Sequence, residues 1–248
     1  MRQVLSIETE LAKCVNKLGG QVLDEVLKQP NFKNADYWFP EYKTVAELKR
    51  LDEDLSAKED FQKKVTDLYS SWVQRGLMPE FTGKMTLNLQ KIPQLCAHEY
   101  IEIIKKRIEN SIIKKANHQI RETKNYYEDD SAKGLLIIAN DGNPMLKLDF
   151  MAHLLSRILK NQYSSINSVI YFSANLAVRM PFPELQMSSN RLWADCVLGD
   201  REPAPKNLRE NLQEAWMKNY STLFPDELIH EILMSNDRNV VEKIYFGK

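Results

Sequence analysis

The stretch Asn34-Ala35-Asp36-Tyr37-Trp38-Phe39, followed by Thr44-Val45-Ala46-Glu47-Leu48-Lys49, decides how the rest of the chain is read. Both runs are short and apolar, and Pro40 lies between them, so the pattern predicts strands over 35–39 and 44–51 around a loop. Residues two apart on a strand point to one face. Glu47 and Lys49 therefore project together with Val45, while Ala46 and Leu48 point the other way. If the first strand pairs with the second, the Asp36 and Glu47 carboxylates and the Lys49 ammonium converge. Two carboxylates suit a hard divalent cation such as Mg²⁺ that keeps several waters. A neighbouring lysine can orient or help deprotonate an attacking water, or stabilise charge developing on a phosphate. Such a set would serve metal-assisted phosphodiester hydrolysis.

A Glu-x-Lys triplet carries little information in a chain this charged. Glu41-Tyr42-Lys43 falls beside Pro40, inside the expected loop, and Glu122-Thr123-Lys124 falls on a helical pattern, where residues two apart diverge. Only Glu47-Leu48-Lys49 sits in a strand-like run. The competing reading of Glu47 and Lys49 is a charged strand face that discourages edge pairing. For Asp36 it is a turn or cap residue after Pro30-Asn31-Phe32-Lys33-Asn34.

The chain has 248 residues, enough for one large domain with a sizeable core. Lys+Arg and Asp+Glu both number 34, which excludes a uniformly basic nucleic-acid binder but not a local basic patch. Cys14, Cys96 and Cys196 are far apart and odd in number, which argues against a zinc site or a disulfide framework and for a reducing, cytoplasmic setting. No signal peptide or membrane-spanning run is visible, so no membrane partner is expected.

Outward from the opening stretch, Val4, Ile7, Leu11, Cys14, Val15 and Leu18 predict a first helix over 4–18. Residues 21–28 fit a short helix or a strand. Residues 52–95, charged at first and punctuated later by Gly76, Pro79, Gly83 and Pro93, read as an insertion or subdomain. A long helix is expected over 96–126. The run Gly134-Leu135-Leu136-Ile137-Ile138-Ala139, the amphipathic segment 148–159 and Ser168-Val169-Ile170-Tyr171-Phe172-Ser173 predict strand, helix and strand in a parallel crossover. Asp141-Gly142 suits a turn. Residues 191–197 suit a strand, 203–205 a linker, and 208–223 and 226–234 helices, so 200–248 reads as a helical C-terminal extension.

In this order of elements, Asp36 and Glu47-Leu48-Lys49 resemble the PD-(D/E)XK, or restriction-endonuclease-like, nuclease superfamily. The resemblance covers roughly residues 5–50 and 97–175. It departs at Ala35, where the motif has proline, and Pro225-Asp226 is a poorer match because no acidic-x-Lys strand follows it. The resemblance implies an α/β fold, a restriction-endonuclease-like mixed sheet flanked by helices, here with a helical insertion. It implies a Mg²⁺- or Mn²⁺-dependent nuclease acting on DNA or RNA, with Asp36 and Glu47 as ligands and Lys49 at the reacting phosphate. A restriction or defence setting, and a homodimer or larger complex, come with it.

The superfamily often adds an acidic ligand from its first helix. Glu25 is the preferred candidate, with Glu10 the better one if residues 20–27 form a strand. Lys115 and Gln119, one turn apart on the following helix, are candidates for nucleic-acid contact. Lys105-Lys106-Arg107, Lys114, Lys115 and Arg121 could track a phosphate backbone, and Trp38, Trp72 and Phe81 could stack on bases, although aromatics in such patterns more often fill cores. His118 and His153 lack ligand spacing and receive no role. Two alternatives compete with the nuclease reading. One is a catalytically inactive nucleic-acid-binding or structural protein on the same fold, and the other is a mostly helical interaction module in which the hairpin motif is accidental.

Overall fold

A computed structural model describes residues 4–28, 30–52, 54–83, 87–141, 143, 146, 148–160, 162–175, 193–197 and 201–223. In chain order the elements are α1 (Ile7–Lys17), β1 (Gln21–Val22), α2 (Leu23–Val26), β2 (Tyr37–Phe39) and β3 (Thr44–Leu51). They continue with α3 (Glu59–Gln74), α4 (Gln94–Ile108), α5 (Lys114–Tyr127), β4 (Lys133–Asp141), α6 (Leu148–Leu159), β5 (Ser168–Ala174), β6 (Trp193–Val197) and α7 (Lys206–Leu223). One wide π-helical turn, Glu109–Ile113, joins α4 to α5. Among the described residues, no helix is long and apolar enough to cross a membrane.

The protein is α/β, with one open, mixed six-stranded sheet in the order β1-β2-β3-β4-β5-β6. The first three strands form an antiparallel meander, β3, β4 and β5 are parallel, and β6 returns antiparallel. The turn after β2 is made by Pro40, whose fixed φ starts a single 3₁₀ turn, and by Lys43 at φ 43°, whose left-handed backbone sends the chain back as β3. Helices lie on both faces of the sheet. Val45, Leu51, Leu136, Ile138, Val169 and Tyr171 face a core completed by α4, α5 and α6. Ala46, Leu48, Leu135, Ile137, Ile170 and Phe172 face the opposite core, completed by α1 and α7. Coverage on both sides explains why β4 reads as one unbroken apolar run.

Residues 21–28 are neither all helix nor all strand: two residues pair with β2, and a single helical turn follows. Residues 52–95 are not a detached subdomain throughout. Leu55 and Phe61 enter the same core as β3, and Trp72 Nε1 donates to Glu99 of α4 at 2.7 Å. The strand expected at 134–139 extends to Asp141, and Gly142 lies outside the described residues, as do the helix expected over 226–234 and the Pro225-Asp226 dipeptide. Trp38 and Trp72 are core residues, while Phe81 is exposed.

Gly134 opens β4 at a close backbone approach. Its N–H donates to Asn167 Oδ1 and its carbonyl accepts from Asn167 N, both at 2.8 Å. A Cβ there would stand 1.9 Å from the Ser165 carbonyl oxygen and 2.8 Å from Ile120 Cγ2. The first contact is with backbone, which cannot rotate away. Gly134→Ala is expected to cost about 3 kcal/mol and to lower Tm by about 6–12 °C at this chain length. Thermal unfolding followed by circular dichroism checks this, and an unchanged Tm would mean that the 163–167 loop yields freely.

Candidate active site

The β2–β3 register pairs Phe39 with Thr44, Trp38 with Val45 and Tyr37 with Ala46. One step further along the same register, Asp36 stands opposite Glu47. Asp36 is just beyond the strand, and its side chain extends the ladder: Oδ2 accepts from Leu48 N at 2.7 Å. The Asp36 and Glu47 carboxyls lie close enough for the Asp36 charge to act on Glu47. Lys49 Nζ donates to Glu47 Oε1, and at 2.8 Å to Gln119 Oε1 on α5. The expected convergence of two carboxylates and an ammonium is therefore present, on the sheet face covered by α5.

Burial sets the electrostatics. Glu47 is 1% exposed, while the Lys49 side chain is 19% exposed, so solvent reaches the site from the lysine side. Desolvation pushes Glu47 up to about 8, the Asp36 carboxyl pushes the same way, and the Lys49 charge opposes both. Desolvation also raises Asp36, against the Leu48 N–H and Lys49. Two facing carboxyls in a dry site do not both ionise readily, so the pair retains a proton near neutral pH. Glu47 Oε2 is buried and, among the described residues, accepts no hydrogen bond. An orphaned carboxylate oxygen beside a second carboxyl fits a hard divalent cation whose remaining ligands are waters. Asp36 and Glu47 would hold it.

Among the described residues, no third carboxylate joins Asp36 and Glu47 in a metal-binding group. Glu25 is exposed on the single turn of α2. Glu10 belongs to the opposite layer, between α1 and α7, bound to Lys13 at 2.7 Å and Asn219 at 2.8 Å. Among the described residues, no three His, Cys, Asp or Glu side chains gather as a metal site. The expectation of Glu25 as a ligand is therefore corrected: its side chain stands exposed on α2 and is not gathered with Asp36 and Glu47.

Gln119 is corrected too. It is buried rather than presented to nucleic acid, and its amide is spent on Lys49 and on the Asn34 carbonyl, which Nε2 reaches at 2.8 Å. Lys115, one turn earlier, is exposed. The basic surface is smaller than the sequence implies, because Lys105 pairs with Glu102, Arg107 with Asp60 and Arg121 with Glu122, leaving Lys106, Lys114 and Lys115 as its exposed lysines. Sequence reasoning missed Thr123, whose Oγ1 accepts from Ala35 N at 2.8 Å. Its signal was modest: a threonine one turn beyond Gln119 on the same helix.

No family model, curated protein or solved structure matches this chain, so the arrangement of Asp36, Glu47 and Lys49 is the basis on which function is read.

Proposed function

We propose that the protein is a divalent-metal-dependent nuclease that hydrolyses phosphodiester bonds, built on a restriction-endonuclease-like sheet. The observation that supports this most is the facing of Asp36 and Glu47 across the β2–β3 hairpin, with Lys49 held against Glu47. An antiparallel meander, then a helix packed on β3, then a parallel strand, supports the finer fold assignment.

Bound between the two carboxylates, Mg²⁺ or Mn²⁺ would supply Lewis acidity to a water and to the scissile phosphate. Asp36 and Glu47 contribute fixed oxygen ligands. Glu47 is anchored because Ala46 and Leu48, its neighbours on β3, are locked into the opposite core. Lys49 is the solvent-facing cation of the set; it orients the attacking water or balances charge on the phosphate. Lys115 and the exposed basic positions along the same helix would meet the DNA or RNA backbone.

Purified protein incubated with single- and double-stranded DNA and RNA is expected to cleave at least one of them with Mg²⁺ or Mn²⁺, and none with EDTA. Absence of metal-dependent cleavage across that panel would defeat the nuclease reading. Retained nucleic-acid binding without cleavage would favour an inactive binding protein.

A further inference from the structure

We propose that Thr123 and Gln119 form a two-point clamp on the 34–35 peptide that positions Asp36, and that this clamp requires a residue with an N–H, not proline, at position 35. The carbonyl of Asn34 and the N–H of Ala35 belong to one planar peptide unit. Gln119 Nε2 donates to that carbonyl, and Thr123 Oγ1 accepts from that N–H, each at 2.8 Å. Gln119 and Thr123 are four residues apart on α5, a rise of about 6 Å, so one helix face addresses both ends of the peptide. All three side chains at this contact, Ala35, Gln119 and Thr123, are buried.

The clamp acts on Asp36 because the next polar groups along the chain are also fixed. The Asp36 carbonyl accepts from Leu23 N at 2.8 Å, and its carboxylate accepts from Leu48 N. With the preceding peptide plane held by α5 and its own carbonyl held by Leu23, Asp36 has little backbone freedom left. Gln119 couples the same peptide to Lys49 through the other end of its amide. Turning that amide round would set donors against Lys49 Nζ and an acceptor against the Asn34 carbonyl, so its orientation is determined by both partners. The departure from the Pro-Asp motif also gains a cause: a proline at 35 would have no N–H and would leave the buried Thr123 hydroxyl without its donor.

Thr123 is a positioning residue, and this role rests on the reading of Asp36 as a metal ligand. The test is Mn²⁺ binding to the full chain, followed by electron paramagnetic resonance of free Mn²⁺, with thermal unfolding recorded for every variant. Thr123→Val, which keeps shape and loses the acceptor, is expected to weaken Mn²⁺ affinity about tenfold. Thr123→Ser is expected to stay within about twofold of wild type. Ala35→Pro is expected to follow Thr123→Val, whereas Ala35→Gly, which keeps the N–H, is expected to bind more tightly than Ala35→Pro. That second pair carries the test if Thr123→Val does not fold. Equal affinity in wild type, Thr123→Val and Ala35→Pro would overturn the clamp alone. Failure of wild type to bind Mn²⁺ would overturn the metal-site reading and the clamp with it. Loss of fold in both Thr123→Val and Ala35→Pro would assign the hydrogen bond to folding and overturn the positioning role.

Discussion

Lys49→Ala is expected to lower metal-dependent cleavage by about 10²–10³-fold, the usual effect of removing one fixed electrostatic group from a reacting centre. Lys49 reaches both Glu47 Oε1 and Gln119 Oε1 through one ammonium. An ammonium has three N–H donors, so one is left for a water or a phosphate oxygen. Its loss also withdraws the charge that favours ionised Glu47, so Glu47 titrates still higher in the variant. Cleavage is therefore best compared at saturating Mn²⁺ across a pH series, which separates a lost reaction step from a lost proton. Lys49→Arg is expected to restore little, because a planar guanidinium does not occupy the space or the donor geometry of an ammonium. Lys49→Met, which keeps the stem packed, is expected to fold like wild type and cleave like Lys49→Ala. Wild-type cleavage by Lys49→Ala would locate the activity at another site.

The hairpin was legible because its physics is local. Alternation along β3 put Val45, Glu47 and Lys49 on one face and Ala46 and Leu48 on the other, as they are in the fold. The Leu148–Leu159 helix carries its own apolar stripe, so its limits could be read from the sequence, and β4, α6 and β5 form the expected parallel crossover. What failed depended on packing between distant segments. The stripe Ile7, Leu11, Cys14 and Val15 identifies α1 as amphipathic but not which side of the sheet it covers. It covers the side away from Glu47, which removes Glu10 from the site. Gln21 and Val22 make too short a strand for any periodicity, and their pairing with β2 leaves Glu25 on an exposed turn. Gln119 looked like a polar residue free to meet a ligand. Its partners, Lys49 and Asn34, come from segments 70 and 85 residues away in the chain, beyond the reach of any local pattern.

Cation binding is expected to displace a proton, and Mn²⁺ affinity to rise roughly tenfold per pH unit from about pH 6 to pH 8 before levelling off. The cause is Glu47, held near pKa 8 by burial and by Asp36, whereas a cation needs its carboxylate ionised. The same shift makes the metal-free protein pH-sensitive in a definite direction. Between the ordinary glutamate value of 4.5 and about 8, the folded state holds a proton that the unfolded state has released. Stability of the metal-free protein therefore falls as pH rises through that window and is flat above it. Glu47→Gln removes the titration, so its Tm is expected to lose this pH dependence and to exceed that of metal-free wild type at pH 8.5 by on the order of 5 °C, while Mn²⁺ binding is lost. Asp36→Asn removes the facing charge instead, and the break in the stability profile is expected to move to lower pH. Calorimetric titration in buffers of different ionisation enthalpy counts the released proton directly. Affinity that is independent of pH between 6 and 8 would show that Glu47 is already ionised in the free protein, and that the Lys49 ammonium outweighs burial.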